Sequence, residues 1–414
     1  MASATHSDAV SEKGATGHGY GFTPGHSEEL LVRVGKGTPG GEMLRRYWWP
    51  VGASAELTDL PRKVRLLGED LILFRDTKGN AGLVYPRCIH RGSSLFYGRV
   101  EEAGIRCCYH GWLFDTEGRV LEMPCEPNGG TNLERYRQPW YPVEERYGVI
   151  FAYLGPLEHK PLLPRYEILE DLEDGRYELF ADTQHILVGD PEPDYNYLQI
   201  SENIVDPFHV FILHNNMNRE QFHRFFTARP NVTWEYTETG IRCVAEREAE
   251  GKLSHRINDL VFPTHVVIGD LLAHDFDRSI FFGFLTPVDD THTSTLVITR
   301  GSATLTEMIR SGEWARELFP TPWKDMTEEE HQRDPADYEA QASQGPITLH
   351  SEENLVTSDT GVAMYRRMLR KAIRDVENGQ APFGVITDEN APPLKVTAGN
   401  FIIRDLTDSP QTVP

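Results

Sequence analysis

The sequence predicts an α+β protein of two domains, a small antiparallel β domain followed by a larger domain of strands and helices. Three observations predict this fold: short strand patterns fill residues 51–155, longer strand patterns recur between 233 and 300, and a helical pattern covers 360–377. With 414 residues the chain is long enough for two or three domains. Pro161 and Pro164 mark the boundary between the two domains.

Turn signals such as Thr-Lys-Gly-Asn at 77–80 separate the apolar runs of the first domain, which is typical of short antiparallel strands. The expected domain limits are a flexible arm at 1–28, the β domain at 29–160, the larger domain at 161–390 and a C-terminal tail at 391–414. The predicted strands are 63–67, 71–74, 82–85, 149–154, 233–236, 240–247, 261–268, 279–286 and 293–300, and the predicted helices are 196–214 and 360–377.

Charge and cysteine content narrow the classes of function. The formal net charge of -22 repels phosphate backbones and anionic membrane surfaces, so neither nucleic acid nor membrane is expected as a partner. Of five cysteines, two are candidate metal ligands, and the odd remainder argues against a disulfide framework. Since the sequence shows no signal peptide and no run of about 18 apolar residues, we expect a soluble cytoplasmic protein.

Cysteine and histidine form two mixed pairs in the first domain. One residue separates Cys88 from His90, two residues separate Cys107 from His110, and sixteen residues lie between the pairs. This donor set is that of a [2Fe–2S] cluster in which two histidines replace two cysteines on one iron. Imidazole ligands raise the reduction potential, so such a cluster accepts electrons readily. Residues 88–112 are called the cluster motif below.

Two other functions compete with an enzymatic redox centre. One is a zinc-stabilised binding module, but structural zinc sites usually keep like ligands together, as in Cys-x-x-Cys followed by a histidine pair. The other is a pure electron-transfer protein, against which the long chain beyond residue 160 argues. The mixed order of ligands favours the iron–sulfur interpretation.

A second group of candidate ligands lies in the predicted helix at 196–214. On an ideal helix His209 and His214 diverge by about 140°, with Asp206 between them in angle. Pro207 disfavours helical geometry at Asp206, so this carboxylate could instead cap a helix that begins at Pro207. From this segment alone, satisfied core histidines are as good an interpretation as metal ligands. The cluster motif shifts the balance, because two histidines and a carboxylate bind iron in non-haem oxygenases.

Taken together, the two motifs resemble those of the Rieske non-haem iron aromatic-ring oxygenases, α subunit, in the branch of phthalate dioxygenase and dehydrodivanillate O-demethylase. The resemblance covers residues 30–380 and joins the cluster motif to Asp206-x-x-His209-x4-His214. It implies a Rieske [2Fe–2S] domain and a catalytic domain whose antiparallel sheet is flanked by helices in a helix-grip, START-like arrangement. Cys108 departs from the pattern, since many members carry proline there, and should not bind iron.

The resemblance also implies a ligand set. The implied cluster ligands are Cys88, His90, Cys107 and His110, and the implied ligands of a mononuclear Fe(II) are His209, His214 and Asp337. Asp337 is selected by counting back from the Gln-Gly-Pro-Ile run at 344–347, with Glu339 and Asp334 as alternatives. Asn203 matches a family asparagine near the iron, and a helix-end hydrogen bond is its alternative role.

The implied activity is that of an oxygenase component, which uses O₂ and electrons from a separate NAD(P)H-dependent flavin and iron–sulfur reductase. It would hydroxylate, dihydroxylate or O-demethylate an aromatic substrate. Members form rings, commonly trimers or stacked trimers, in which Asp206 would bridge one subunit's cluster to its neighbour's iron. The branch favours a carboxylated substrate. Arg242, Arg247 and Arg256 are candidates to bind it, although the sequence favours a surface position for each.

Overall fold

The computed structural model describes residues 24–183, 192–217, 219–273 and 279–406. Antiparallel sheets form the N-terminal domain, and one large antiparallel sheet with flanking helices forms the C-terminal domain. The predicted α+β class is confirmed. Within the described ranges, no helix combines the length and the apolar character needed to cross a bilayer.

The N-terminal domain contains two short helices and eleven short strands in its described part. Its helices and strands are α1 (Glu29–Val32), α2 (Pro39–Leu44), β1 (Trp48–Ala53), β2 (Arg62–Leu66), β3 (Glu69–Arg75), β4 (Ala81–Val84), β5 (Arg99–Glu101), β6 (Gly104–Arg106), β7 (Leu113–Phe114), β8 (Val120–Glu122), β9 (Trp140–Tyr141), β10 (Val143–Arg146) and β11 (Val149–Tyr153). They form three sheets, ordered β2-β3-β4-β9, β5-β6-β7-β8 and β1-β11-β10.

Short hairpins set the register of this domain. Leu67 and Gly68 both have positive φ, 49° and 80°, between β2 and β3, as a two-residue hairpin turn requires. The two four-stranded sheets enclose an apolar core that includes Phe74, Leu95 and Phe114 together with the sulfur atoms of Cys88 and Cys107. The loops that carry the cluster motif therefore rest on a packed scaffold.

The C-terminal domain is built on one eight-stranded antiparallel sheet. Its strands are β12 (Glu178–Asp182), β13 (Asn231–Tyr236), β14 (Gly240–Ala249), β15 (Lys252–Val261), β16 (His265–Gly269), β17 (Ile280–Asp289), β18 (His292–Gly301) and β19 (Gly399–Asp405). The order is β12-β18-β17-β16-β15-β14-β13, and β19 pairs with β15. Its helices are α3 (Glu167–Glu170), α4 (Tyr197–Asn203), α5 (Pro207–Ile212), α6 (Ala303–Arg310), α7 (Glu313–Leu318), α8 (Glu328–Arg333), α9 (Asp337–Ala342) and α10 (Thr360–Glu377).

Three segments differ from the sequence predictions. The helix expected at 196–214 is two helices, because Pro207 starts α5 after a break. The strand expected at 261–268 is divided by a turn at 262–264, since Pro263 has no N–H to donate to a ladder. The tail expected at 391–414 contains β19, whose backbone pairs with β15.

The long helix α10 fixes the position of α4. Its buried face, including Tyr365 and Leu369, packs in the same core as Leu198 of α4. Arg366, which follows Tyr365 on α10, donates through Nη2 to Glu202 of α4 at 2.7 Å and to Glu353 at 2.8 Å. A buried, ion-paired arginine thus holds α4, which ends three residues before Asp206 and the candidate ligands of α5.

Two candidate metal centres

The cluster motif presents buried sulfur and more accessible nitrogen. Cys88 and His90 follow β4, and Cys107 and His110 lie between β6 and β7. Both cysteines are buried, whereas both histidines are half-buried. The two imidazole rings are 4.6 Å apart between centroids. Two inward thiols and two outward imidazoles match a two-iron cluster whose inner iron takes sulfur and whose outer iron takes nitrogen.

Tight backbone turns shape both ligand loops. The Cys88 N–H donates to the Ser93 carbonyl at 2.8 Å, and the Cys107 N–H donates to the Trp112 carbonyl at 2.9 Å. Gly111 adopts a φ of +73°, and a Cβ there would lie 2.7 Å from Pro124 Cγ. Only glycine therefore fits after the second histidine without displacing a neighbour.

Gln138 and Trp112 anchor the first ligand loop, and neither role was visible in the sequence. The fully buried Gln138 donates through Nε2 to the carbonyls of Tyr85 (2.8 Å) and Arg87 (2.9 Å), and its Oε1 accepts from the Ile89 N–H at 3.0 Å. The Trp112 ring stacks on His90 with centroids 4.8 Å apart. Cys108, by contrast, is exposed.

Burial controls the protonation of these ligands. Burial, together with the neighbouring Cys107 sulfur, raises the pKa of the Cys88 thiol to about 11. Burial also lowers the pKa of His90, so its imidazole is neutral. A metal that binds here would displace the thiol protons, which is the usual coupling between metal binding and proton release. The donor set therefore suits a cluster with two thiolates and two neutral imidazoles.

The second centre joins two helices that are distant in sequence. His209 lies on α5, His214 follows it, and Asp337 is the first residue of α9. Their ligand atoms all lie within 4.8 Å of one another. The distance from Asp337 Oδ1 to His209 Nε2 is 3.6 Å, and that from Asp337 Oδ2 to His214 Nε2 is 3.2 Å.

Hydrogen bonds fix the tautomers of both histidines. Nδ1 of His209 donates to the Asp206 carbonyl, which can only accept. Nδ1 of His214 lies 2.7 Å from Gln221 Oε1, and Gln221 Nε2 donates to Asp334 Oδ1 and to the Pro335 carbonyl, so Oε1 is the atom that accepts. Both Nε2 atoms consequently offer lone pairs toward the carboxylate.

This arrangement of three acceptors fits a cation. Among the described residues, His214 Nε2 is buried without a hydrogen-bond partner, although Asp337 Oδ2 is 3.2 Å away, because with the neutral tautomer above neither atom carries a hydrogen. Two lone pairs beside a carboxylate repel each other unless a positive charge lies between them. A metal ion of the kind bound by two histidines and one carboxylate satisfies all three groups.

The carboxylate and the imidazoles have the charge states that metal ligands need. Burial lowers the pKa of His209, so this imidazole is neutral. Burial raises the pKa of Asp337, but the positive charges that His214 and His209 carry when protonated, together with hydrogen bonds from protonated His214 and from the Asn203 amide, more than offset it and bring the pKa to about 2. Asn203 Nδ2 donates to Asp337 Oδ1 at 2.8 Å, which orients the carboxylate.

Among the three acids considered from the sequence, Asp337 faces the histidines. Glu339 accepts instead from Trp323 Nε1 at 2.8 Å and contacts His331. Asp334 binds Gln221 and Arg219. Their positions at the start of α9 and just before it direct them away from the two histidines.

Asp206 caps α5 and stands beside His209. One carboxylate oxygen accepts from the Phe208 N–H at 3.0 Å, while Oδ2 lies 3.8 Å from His209 Nδ1. The backbone carbonyl of Asp206, rather than its carboxylate, therefore accepts the histidine hydrogen bond within this chain. The Asp206 side chain is 32% exposed, so it is partly accessible from the surface.

A small cavity of about 50 Å³ adjoins the second centre. Its apolar lining consists of Ile200, Val210, Phe222, Ile268, Leu271 and Leu285, among others. Arg256 and Asn258 add polar groups to this wall. The surface positions that the sequence favoured for Arg247 and Arg256 are wrong, because both side chains lie on the inner face of the sheet and are buried. Strand alternation gives two faces but does not say which one is inner.

A cluster domain combined with two histidines and a carboxylate defines a class of oxygenase that couples an iron–sulfur cluster to a mononuclear iron. Residues 47–142 match the Rieske [2Fe-2S] domain family. The phenoxybenzoate dioxygenase subunit alpha of Ectopseudomonas oleovorans is 46% identical over 394 residues, which are 93% of this chain and 94% of that protein. The tert-butanol monooxygenase / tert-amyl alcohol desaturase oxygenase subunit of Aquincola tertiaricarbonis is 36% identical over 89% of this chain and 79% of that protein.

The fold has solved counterparts as well. The structure of the NdmA QL mutant of Pseudomonas putida CBB5 with caffeine matches with a TM-score of 0.62 at 20% identity, covering 86% of this chain and 99% of that one. The chain therefore belongs to the Rieske non-haem iron aromatic-ring oxygenases, as an α subunit. It is an oxygenase component with a [2Fe–2S] cluster and a mononuclear iron as cofactors, and its relatives include subunits named as dioxygenases and as an O-demethylase of aromatic compounds. The family resemblance of the motifs is confirmed, and the zinc-module and electron-transfer interpretations are not supported.

Proposed function

We propose that each cofactor is held by the residues that the two motifs indicate. The proposed cluster ligands are Cys88, His90, Cys107 and His110, and the proposed ligands of Fe(II) are His209, His214 and Asp337. The observation that carries the second assignment is the buried, unpartnered Nε2 of His214 beside an ionised carboxylate. Iron in such a site supplies O₂ activation, and the cluster supplies electrons.

The residues around the iron position a substrate and exclude water. Asn203 holds the Asp337 carboxylate, and Gln221 holds the His214 ring, so the ligand geometry is fixed by hydrogen bonds before a metal arrives. The apolar side of the cavity suits an aromatic ring. Since ligand pockets usually measure about 300–1,000 Å³, the lining side chains must move apart for a ring to enter.

The substrate that we propose is an aromatic carboxylate. One relative is named for phenoxybenzoate, an aromatic acid, and another for tert-butanol, a neutral alcohol. The higher identity to the former, 46% against 36%, supports the acid. The chemical outcome would be hydroxylation, dihydroxylation or O-demethylation of that acid at the iron, with electrons from a separate NAD(P)H-dependent reductase.

We further propose that subunits form a head-to-tail ring, a trimer or stacked trimers, in which Asp206 connects His209 to His110 of the next subunit. The partly exposed carboxylate beside His209 and the accessible His110 support this role. A heterologous contact of this kind closes into a ring when the rotation permits. Asp206 would then orient imidazoles on both sides of the interface.

Metal and sulfide analysis tests the ligand assignment. We expect about three irons and two acid-labile sulfides per chain, with a Rieske-type signal in the EPR spectrum of the dithionite-reduced protein. The Cys107→Ser variant should keep about one iron and lose the sulfide. Zinc in place of iron, without that signal, would overturn the assignment.

Mixed oligomers test the ring. Cys107→Ser lacks the cluster and Asp337→Ala lacks the mononuclear iron, so each is expected to be inactive alone. In random co-assembled rings, half of the chains keep the iron and half of those face a neighbour with a cluster, so turnover should recover to about a quarter of the wild-type value. Background turnover in a verified mixed oligomer would mean that electrons stay within one chain.

A further inference from the structure

Five arginines are buried in the described part of the chain, and two of them differ from the rest. Arg45, Arg300 and Arg366 form ion pairs with Glu69, Glu173 and Glu202, respectively. The other two are Arg247 and Arg256. In the described ranges neither of these forms an ion pair with a carboxylate. A buried cation is costly unless an anion pairs with it, so the missing anion needs an explanation.

Arg247 has two unused nitrogen donors. Its Nε donates to the Ala228 carbonyl at 3.2 Å. Nη1 and Nη2 are both buried, and neither has a hydrogen-bond acceptor within the described residues. The side chain is only 2% exposed, so bulk water does not replace the missing partner. A guanidinium with both Nη groups open is suited to bind a carboxylate.

Arg256 reaches the cavity at the iron site. Its Nη1 donates to Asn400 Oδ1 (2.8 Å) and to the Asp270 carbonyl (3.3 Å), and its Nη2 donates to the Gly269 carbonyl (3.1 Å). These bonds use three of the five N–H donors of a guanidinium. The acceptors of these bonds are neutral, and the nearby Asp270 carboxylate, which accepts from Trp314 and from the Leu272 N–H, forms no ion pair with Arg256 among the described residues.

Sheet register brings the two guanidinium groups together. On neighbouring strands β14 and β15, Ala245 is opposite Arg256 and Arg247 is opposite Ser254, so the arginines are diagonal neighbours on one face. Both lie over the ring of Phe226, at 5.2 Å and 5.0 Å from its centroid. Two positive charges therefore share one apolar site.

A third polar group belongs to the same face. Asn258 follows Arg256 by two residues on β15 and also lines the cavity. Its Oδ1 is buried without a hydrogen-bond partner in the described part of the chain. The lining of the cavity thus combines candidate iron ligands, apolar side chains, the cationic Arg256 and the polar Asn258.

We infer that Arg256 and Arg247 form the subsite that binds the carboxylate of an aromatic acid and so select charged over neutral substrates. The inference rests on the proposed aromatic-acid function and deepens it. Arg256 contacts the carboxylate directly, because it lines the cavity, and Arg247 supplies the open donors behind it. The ring then lies along the apolar wall toward His209 and Asp337. Burial lowers the pKa of Arg247 to about 10 and that of Arg256 to about 9, so both stay protonated at pH 7.

A matched pair of ligands separates charge recognition from ring recognition. We would measure binding of 3-phenoxybenzoate and of its neutral amide, 3-phenoxybenzamide, to the iron-replete holoenzyme by calorimetry without reductant, so that no turnover occurs. The wild type should bind the acid at least about 10-fold more tightly than the amide. Arg256→Met should weaken acid binding by about 100-fold and Arg247→Met by about 10-fold, with amide binding changed less than about 3-fold. Arg224→Met, at an exposed arginine nearby, is the control and should bind both as the wild type does.

Each contrary result would overturn either the arginine subsite alone or the aromatic-acid function as well. Equal binding of acid and amide by the wild type, or an acid preference that survives in both variants, rules out the arginine subsite and leaves the oxygenase assignment intact. If iron-replete wild type binds neither compound, the aromatic-acid function falls as well. Iron content and circular dichroism check that each variant is folded. If Arg256→Met does not fold, Arg247→Met carries the test, since it removes a side chain with one hydrogen bond.

Discussion

The two candidate metal centres are built in opposite ways. The four proposed cluster ligands lie within 23 consecutive residues, on two loops held by backbone turns and by Gln138. The three proposed ligands at the second centre come from α5, the turn after it and α9, so His214 and Asp337 are more than 120 residues apart. A local centre depends on the geometry of its own loops, whereas a long-range centre depends on the packing of helices against the sheet.

This difference predicts which substitutions should disrupt each centre. Changes far from the cluster loops should leave the cluster intact, because its ligands need only a folded β domain. The second centre should respond to residues that hold helices together, such as Asn203 or the Arg366–Glu202 pair.

Asp337→Ala should remove the mononuclear iron and keep the cluster. The two remaining histidines lose the negative ligand that balances the metal charge. Iron content should fall from about three to about two per chain, sulfide should stay at about two, and turnover should fall to the detection limit. Metal analysis and the visible spectrum check both parts.

Glu339→Gln is the matched control for that variant. It lies two residues away and keeps a hydrogen-bond acceptor for Trp323 and His331. It should retain all iron. Full iron in Asp337→Ala together with loss in Glu339→Gln would move the ligand assignment to Glu339.

Asp206→Asn should keep both metals and lower turnover by about 100-fold. Asparagine caps a helix as well as aspartate does, so α5 should persist and only the negative charge is removed. Steady-state turnover in metal-replete protein is the measurement. Near-normal turnover would leave Asp206 with the role of a helix cap and break the proposed link between the centres.

The sequence could predict the local centre better than the distant one. Spacing alone indicated the four cluster ligands, because a loop motif carries its own geometry. Asp337 could be selected from 63 acidic residues only through the family resemblance, since no spacing rule joins α5 to α9. The buried positions of Arg247 and Arg256 could not be predicted from the sequence. Alternating residue types show that β14 and β15 each have two different faces, but they do not show which face is covered by the rest of the domain.

Two glutamines offer a direct comparison of the centres. Gln221 holds the His214 ring through one side-chain bond, and Gln138 holds the first cluster loop through three bonds to the backbone. Gln221→Leu should weaken Fe(II) binding by about 10-fold and leave the cluster unchanged, because the ring loses its orientation. Gln138→Leu should speed loss of the cluster and leave Fe(II) affinity unchanged.

Competition with an iron chelator measures the first effect, and decay of visible absorbance measures the second. Gln344→Leu, at an exposed glutamine after α9, is the control for both. If either variant affected both metals equally, the two centres would not be as independent as their construction indicates.

The smallest predicted effect concerns the seam where the two domains pack. His265 of β16 is buried against Trp49 of β1 and Phe284 of β17. Burial lowers its pKa to about 3 from the usual 6.5, so between those values the unfolded chain binds a proton that the folded chain does not. The free energy of unfolding therefore rises with pH across this window and falls as the pH drops below 6.5. At pH 5, protonation of His265 in the unfolded chain lowers it by about 2 kcal/mol.

The variant His265→Phe keeps an aromatic ring at the seam and removes the titration. Urea unfolding at pH 5 and pH 7 should show a stability difference that is smaller in this variant than in the wild type by about 2 kcal/mol. The two signals to follow are cluster absorbance for the N-terminal domain and circular dichroism for the whole chain. Because the imidazole contacts strands of both domains, the two signals should shift together. A shift confined to one signal would show that the domains unfold separately and that the cluster domain does not depend on the seam.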